Sequence, residues 1–547
     1  MLRRALYVVC LFWTAACNTS GPPAHDPDLS PVTPPPPPTC ALDAIAPGAW
    51  GLLAEGIADV TGFGACGDLI WVGEDQRLWR ALPDLTAGVE TAAGVNRARW
   101  SPDRTLLAYG TDSEMVALDL ETGDTQRQPP AWWFGVAITS VGPVPWLCQQ
   151  GVLSPFDGSV AIDGVRCNSA LGAEAGSTVV FMDAADTWHV LDLEDGSARA
   201  LPDPRRPTDA LGRDRELRYR QELSPDGRVL TWREEIWEYC GDTECLLPGG
   251  GTTLIDLTRG ETAGRIPAQA PSPNLRADDP GYLTTRGGHT LLFPGQHGGA
   301  WLVDARLDIH ASPKIRPLYL YGDGHTALGV HRPEGERFSG YVRFDALTGA
   351  MEPIVTGGEA IGLSTDEATL AVSHSTGRCI RYPGQPNVCH RQIWALSRWT
   401  QTHGLVELAL ADQPMRIFWI GDDGTLLIGG RVFAEPVPEA AEPGATERVH
   451  GLHVLAPDGT IRATLGQAGR PTVHEAGELL LVTRWIDRQM VLDVVDPTDG
   501  ATRRLLEGDR FDVEVGPAGR RVAVRVYRRT DEGETTTALW AGATPRP

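Results

Sequence analysis

No stretch of this 547-residue sequence keeps the 3.6-residue apolar period of an amphipathic helix, which leaves an all-β chain as the reading. Lysine is nearly missing. Lys314 stands alone among arginines, a bias of base composition that says little about chemistry. Basic residues as a whole are scarce: 48 Lys and Arg face 71 Asp and Glu, a formal charge of −23 that disfavours nucleic acid as a partner. No C-x-x-C pair occurs, so the paired-cysteine spacing of zinc ribbons is lacking, and neither a metal nor a cofactor is expected. There is no G-x-S-x-G string to form a hydrolase nucleophile turn. "GDDGT" near Asp422 and "DPTDG" near Asp496 lack the twelfth-position Glu of a calcium loop, and read as turns.

The apolar run at the start, Ala5 to Trp13, is far short of the ~20 residues that cross a bilayer. With basic Arg3 and Arg4 before it and small Thr14, Ala15 and Ala16 after it, residues 1–16 read as a cleaved export signal. "TAAC" resembles the bacterial lipobox, which implies lipidation of Cys17 and an outer-membrane lipoprotein of the cell envelope, tied to the membrane through its N-terminal lipid. Without Arg3 and Arg4, 46 basic side chains face 71 acidic ones and the charge becomes −25. Residues 17–39 hold the lipidated cysteine and a proline-rich tether, "TSGPPAHDPDLSPVTPPPPPT", expected to run as polyproline II. At ~3.1 Å per residue, about 20 residues reach up to ~60 Å. No second linker follows, and residues 40–547 are expected to form one domain.

Eight cysteines lie in that domain, an even count that suits an oxidising compartment. Eight cysteines allow 105 connectivities. Their order along the chain suggests neighbours: Cys40 with Cys66, Cys148 with Cys167, Cys240 with Cys245, and Cys379 with Cys389.

Internal similarity is the strongest signal. "ARWSPDRTLLAYGTDSEMVALDLETGDTQ" from Ala98 has echoes in "ELSPDGRVLTW" from Glu222, "GLSTDEATLAV" from Gly362 and "VEVGPAGRRVAVRV" from Val513. Each reads strand, tight turn, strand. A second turn follows in "LDLETG" ending at Gly123, "LDLEDG" at Gly196, "LIDLTRG" at Gly260, "VRFDALTG" at Gly349 and "VVDPTDG" at Gly500, at spacings of 40 to 75 residues. Trp79, Trp188, Trp301, Trp394 and Trp540 sit just before such turns, as large side chains do where sheets pack face to face. The repeating four-stranded pattern predicts a single β-propeller of seven or eight blades. The "SPDG…LAY…LDLETG" pattern resembles the TolB-type, WD40-like repeats of bacterial envelope propellers over roughly residues 66–545. The domain that precedes the propeller in TolB has no counterpart, so no partner contact is carried over. "TTALWAGA" near the end reads as a third strand, and a strand within 44–60 is expected to complete that blade and close the ring, pinned by Cys40–Cys66.

Hairpin lengths carry the functional expectation. Ser101 to Asp119 takes 18 residues, Ser224 to Asp256 takes 32, and Ser364 to Ser397 takes 33. The extra residues fall between the second and third strands and contain Cys240/Cys245 and Cys379/Cys389. Residues 429–451, 331–340 and 527–537 hold further insertions at the equivalent place. Strands alternate direction, so these loops should share one face. Stapled loops there suit binding of an envelope protein or polysaccharide by a monomeric, non-catalytic propeller. The alternative is a hydrolase or lyase with a site at the central channel, signalled by converging carboxylates or histidines. His289, His297, His325, His331, His450 and His453 are the histidines such a site could draw on. A quinoprotein propeller is disfavoured, because Arg127 and Pro353 stand where its docking Trp would be.

Overall fold

The computed structural model describes residues 49–547 apart from 132, 174–175, 204–214, 241–242, 248–250, 267–281, 287–288, 294–299, 305, 307, 313–314, 332–339, 381–388, 390, 434–447, 467–470, 488 and 531–532. The leader, Cys17, the tether, Cys40 and His297 lie outside the described residues.

Two recurrent turns build the hairpins. In the first, buried Ser101, Ser224 and Ser364 each use their hydroxyl twice. It donates to the carboxylate two residues on, Asp103 at 2.5 Å, Asp226 at 2.6 Å and Asp366 at 2.6 Å. It accepts the amide five residues on, Leu106 at 2.9 Å, Val229 at 2.9 Å and Thr369 at 3.0 Å. The third residue after each serine takes the left-handed conformation, at φ +60° for Arg104, +73° for Gly227 and +63° for Glu367. This turn joins first to second strands, such as Val95–Trp100 to Leu106–Thr111. The second turn joins third to fourth strands. There the amides of Gly123, Gly196, Gly260, Gly349 and Gly500 donate to the carbonyls of Asp119, Asp192, Asp256, Asp345 and Asp496 at 2.8–2.9 Å. Each of those aspartates also accepts the amide two residues on through its carboxylate, which holds the bend in place.

Ten antiparallel sheets form among the described residues: eight of four strands, one of five and one of eight. That exceeds the seven or eight units expected from the sequence. First strands begin at Ile57, Val95, Trp133, Val165 and Arg215, closer together than the intact motifs suggested. A hairpin needs only one or two left-handed residues, so units such as Trp133–Asp163 dispense with Ser-Pro-Asp altogether. All but one sheet take their strands consecutively from the chain. The exception pairs Gly51–Glu55 with Thr535–Ala543, followed by Arg521–Arg529 and Arg510–Val515. The strand expected within 44–60 is therefore Gly51–Glu55, and it lies beside the third strand of the last sheet.

Apolar clusters lie between consecutive sheets. Leu69 and Trp71 pack against Leu539 and Ala541, Val180 and Trp188 against Leu230 and Trp232, and Leu427 and Val454 against Leu480 and Val482. Three of the five tryptophans named above lie in these seams: Trp188 meets Trp232 edge-on at 5.2 Å, Trp79 stacks on Trp71, and Trp540 stacks on Trp50; Trp394 is in none of the clusters, and the side chain of Trp301 lies outside the described residues. Arginines add a polar stitch from one sheet to the next. Arg80 donates to the Leu120 carbonyl at 2.7 Å, Arg462 to that of Pro497 at 2.8 Å, and Arg199 to that of Leu257. In each case the acceptor is the residue just after the turn aspartate, so the turn serves two sheets at once.

Candidate functional site

The hairpin insertions lengthen strands as well as loops. The second strands Val229–Cys240 and Thr369–Ile380 have 12 residues each, against 6 in Leu106–Thr111. Six more residues at ~3.3 Å carry each hairpin roughly 20 Å further. In the first, Thr243–Leu247 adds a fifth strand against Val229–Cys240. In the second, Cys379 and Cys389 are disulfide-bonded, and the buried Ile380 and Ile393 pack on Phe433 of the following unit. That following unit contributes the strands Leu426–Phe433 and Arg448–Leu455, and Ala411 pairs with Val432 to merge the two units into the eight-stranded sheet. Every one of these excursions joins a second strand to a third, at the end of the sheet where the first strand begins. Neighbouring sheets keep that orientation: the Val95 amide donates to the Gln76 carbonyl and the Val165 amide to the Gly151 carbonyl, both at 2.8 Å, linking a first-strand start to the preceding sheet's second-to-third turn.

At this end two adjoining cavities, of about 660 and 510 Å³, flank Trp133. Arg97, Ala98, Arg99 and Phe134 line the first; Pro130, Gln149, Gln150, Gly151 and Asn168 are among those lining the second. Trp133 opens its strand, is 45% exposed and pairs with Cys148. The next residue, Phe134, is buried, and the Arg99 guanidinium lies 5.8 Å from its ring centre. Gln150 and Gly151 make a two-residue turn with φ of +50° and +83°. Buried Cys148 is bonded to Cys167 at the start of the next sheet, so a covalent bridge between two sheets runs beneath the indole.

Of the expected disulfides, Cys148–Cys167 and Cys379–Cys389 are formed. Cys66 is disulfide-bonded as well. The side chains of Cys240 and Cys245 lie outside the described residues, although their strands pair in a hairpin. Sequence reading missed Trp133 and its neighbours. The signal was "PPAWWFG", in which an indole opens a strand whose following residues are buried.

Among the described residues the histidines do not assemble as a channel site requires. His289 and His331 lie on second strands, His325 just before one, and His450 and His453 on a third, none on a first. His289 and His325 approach edge-on at 6.2 Å, and His325 stands 3.6 Å from Asp345 and 3.9 Å from Asp323. Among the described residues no three ligand-type side chains could share a metal ion. Among the described residues two His–Asp pairs are hydrogen-bonded, His189–Asp183 at 2.8 Å and His310–Asp304 at 3.0 Å, but both carboxylates also accept amides of their own turns. Asp422 and Asp496 likewise bind backbone amides, of Asp366 and Thr498.

Carboxylates also gather where the Arg510–Val515 strand meets Ile57–Phe63. Arg525 lies 3.8 Å from Asp59 and 3.9 Å from Asp512, while Tyr527 donates to Asp512 at 2.5 Å. Burial pushes the nearby Glu514 carboxyl above the usual carboxylate range, and the Arg104 guanidinium offsets this in part. Asp59 and Asp512 share one guanidinium, so they form an ion network rather than an acid–base pair aimed at open space.

No family model matches the chain, and no curated protein matches it. Among solved structures it is similar to a eukaryotic initiation factor at 9% identity, covering 67% of this chain and 91% of that one, with a TM-score of 0.35. The β-propeller domain of the Trilobed protease from Pyrococcus furiosus is similar at 12% identity over 59% of this chain and 93% of its own, with a TM-score of 0.28. An oligogalacturonate lyase from Vibrio parahaemolyticus is similar at 10% identity over 92% and 99%, also with a TM-score of 0.28. At these scores none of them bears on what this chain does.

Proposed function

We propose that the chain is a non-catalytic binding protein of the bacterial cell envelope: a closed β-propeller, held to the outer membrane by a lipid on Cys17, that presents one elaborated face to a protein or glycan partner. Counting the eight-stranded sheet as two units and setting aside the added strand Thr243–Leu247, the described residues form eleven four-stranded units. Pairing of Gly51–Glu55 with Thr535–Ala543, together with the apolar seams on either side of that last sheet, supports closure into a ring.

The observation that carries the reading is placement. The added length of the two 12-residue second strands, the fifth strand and the Cys379–Cys389 staple all lie where a second strand leads to a third, at one end of their sheets. A stapled hairpin loses less freedom on binding, so more of the contact energy appears as affinity. Shortening 376–392 to a two-residue turn, with the rest of the mature chain intact, is expected to reduce retention of envelope material at least tenfold. Unchanged retention would sink the reading. Lipidation is tested separately: Cys17→Ala should abolish incorporation of labelled fatty acid.

A hydrolase or lyase acting in the channel is the second reading, and Glu514 favours it, as a first-strand carboxyl whose pKa burial raises. The two carboxylates whose charges reach it, Asp59 and Asp512, are both engaged by Arg525.

A further inference from the structure

We propose that the double cleft at Trp133 binds an acidic oligosaccharide, a hexuronate chain with one ring stacked on the indole and its carboxylate held by Arg97 and Arg99. The inference rests on the reading of this end of the sheets as the binding end and names the ligand class that one part of it takes.

Three observations point the same way. The first is an aromatic plate that is open yet fixed. Trp133 is 45% exposed, but its backbone is paired to Cys148, its neighbour Phe134 is buried, and the Cys148–Cys167 bridge ties the underlying strand to the next sheet. An indole face carries the negative side of the ring quadrupole, and the C–H face of a pyranose carries the complementary partial positive charge. A fixed plate loses little entropy when it is covered.

The second is the chemistry on either side. Gln149, Gln150 and Asn168 bring planar amides to one cavity, each able to donate and accept toward adjacent hydroxyls. Arg97 and Arg99 line the other, and a guanidinium is the group that can take a carboxylate through two parallel hydrogen bonds. Hydroxyl-matching groups and anion-matching groups thus flank the same aromatic plate, which a neutral sugar or a simple anion would only half use.

The third is size. Cavities of about 660 and 510 Å³ lie within the ~300–1,000 Å³ of small-molecule clefts, and they meet at Trp133, so a chain of two or more rings can occupy both. The chain's overall charge of −23 opposes an anion at long range. Salt screens that repulsion beyond ~8 Å, so groups lining the cleft weigh more than the distant total.

The experiment uses the full mature chain with its disulfides intact. Hexamers of mannuronate, galacturonate and glucuronate are titrated calorimetrically, each beside its neutral hexose counterpart. At least one acidic hexamer is expected to bind with a Kd below 1 mM and at least tenfold tighter than its neutral partner. Trp133→Ala should abolish binding, and Trp133→Phe should restore part of it. Arg97→Gln with Arg99→Gln should bring the acidic hexamer down to the affinity of the neutral one. Thermal melting of each variant checks that the substitutions leave the fold intact. The proposal is overturned if no acidic hexamer binds, if the neutral partner binds as tightly, or if Trp133→Ala binds unchanged. Should that happen while shortening 376–392 still releases envelope material, the general binding reading survives and only the saccharide cleft is lost.

Discussion

Removing the Cys148–Cys167 bridge is the perturbation whose size follows most directly from the structure. The bridge closes a loop of 19 residues, for which the chain-entropy relation gives about 3 kcal/mol of stabilisation, acting through the unfolded chain. Little of that should be recovered by loosening of the folded state. The enclosed residues carry their own pairings, Gln149 with Val152 and Val152 with Asp163, and Cys148 lies in the apolar seam with Trp146, Leu153 and Phe181. Cys148→Ala with Cys167→Ala is therefore expected to lower by about 3 kcal/mol the free energy of the opening that exposes these two sheets. The assay is native-state hydrogen exchange of the amides in Gly142–Gln149 and Thr178–Asp183, with guanidinium unfolding alongside. Cys379→Ala with Cys389→Ala is the comparison. Its 10-residue loop gives about 2.7 kcal/mol in the same relation, and its effect should be confined to the hairpin, leaving the amides near Trp133 as protected as before. A loss below ~1 kcal/mol for the first variant, or equal loss of protection around Trp133 in both, would refute the view that this bridge fixes the floor of the cleft.

Two further outcomes test other parts of the argument. Ser224→Ala deprives the buried Val229 amide of the hydroxyl it donates to at 2.9 Å and should cost ~1–3 kcal/mol, measured as a lower denaturation midpoint, whereas exposed Ser113→Ala should cost almost nothing. Glu514 has a folded-state pKa raised by burial, so the folded state resists its ionisation: the penalty is absent below the unfolded pKa near 4.5 and grows as pH rises through that value. Glu514→Gln should then be more stable than the parent at pH 7 and indistinguishable from it at pH 4 in thermal melts, and a variant equally stabilised at both would contradict the assignment.

Much of the architecture could be read before any coordinates. Ser-Pro-Asp and Asp-x-x-x-Gly specify their bends through contacts spanning five residues or fewer, so the hairpins after Trp100 and Leu118 are legible in the chain itself. The number of sheets was not, because units like Trp133–Asp163 turn on other left-handed residues and bear no motif. The elaborated hairpins were found by counting residues, yet much of the added length proved to be strand rather than loop. Backbone groups that leave water find partners most cheaply in each other, so an insertion beside an existing ladder extends the ladder.

What the sequence alone determined was the repeated local fold: turns whose hydrogen bonds close within a few residues, and strands whose alternation places one face inward. What only the tertiary structure decided was the company kept at Trp133. Arg97, Trp133 and Asn168 come from three successive sheets and meet because the sheets pack side by side, with Cys148 and Cys167 joined across the seam. Short-range bonding is written in adjacent letters, while side chains brought together by packing leave no periodic trace in the order of residues.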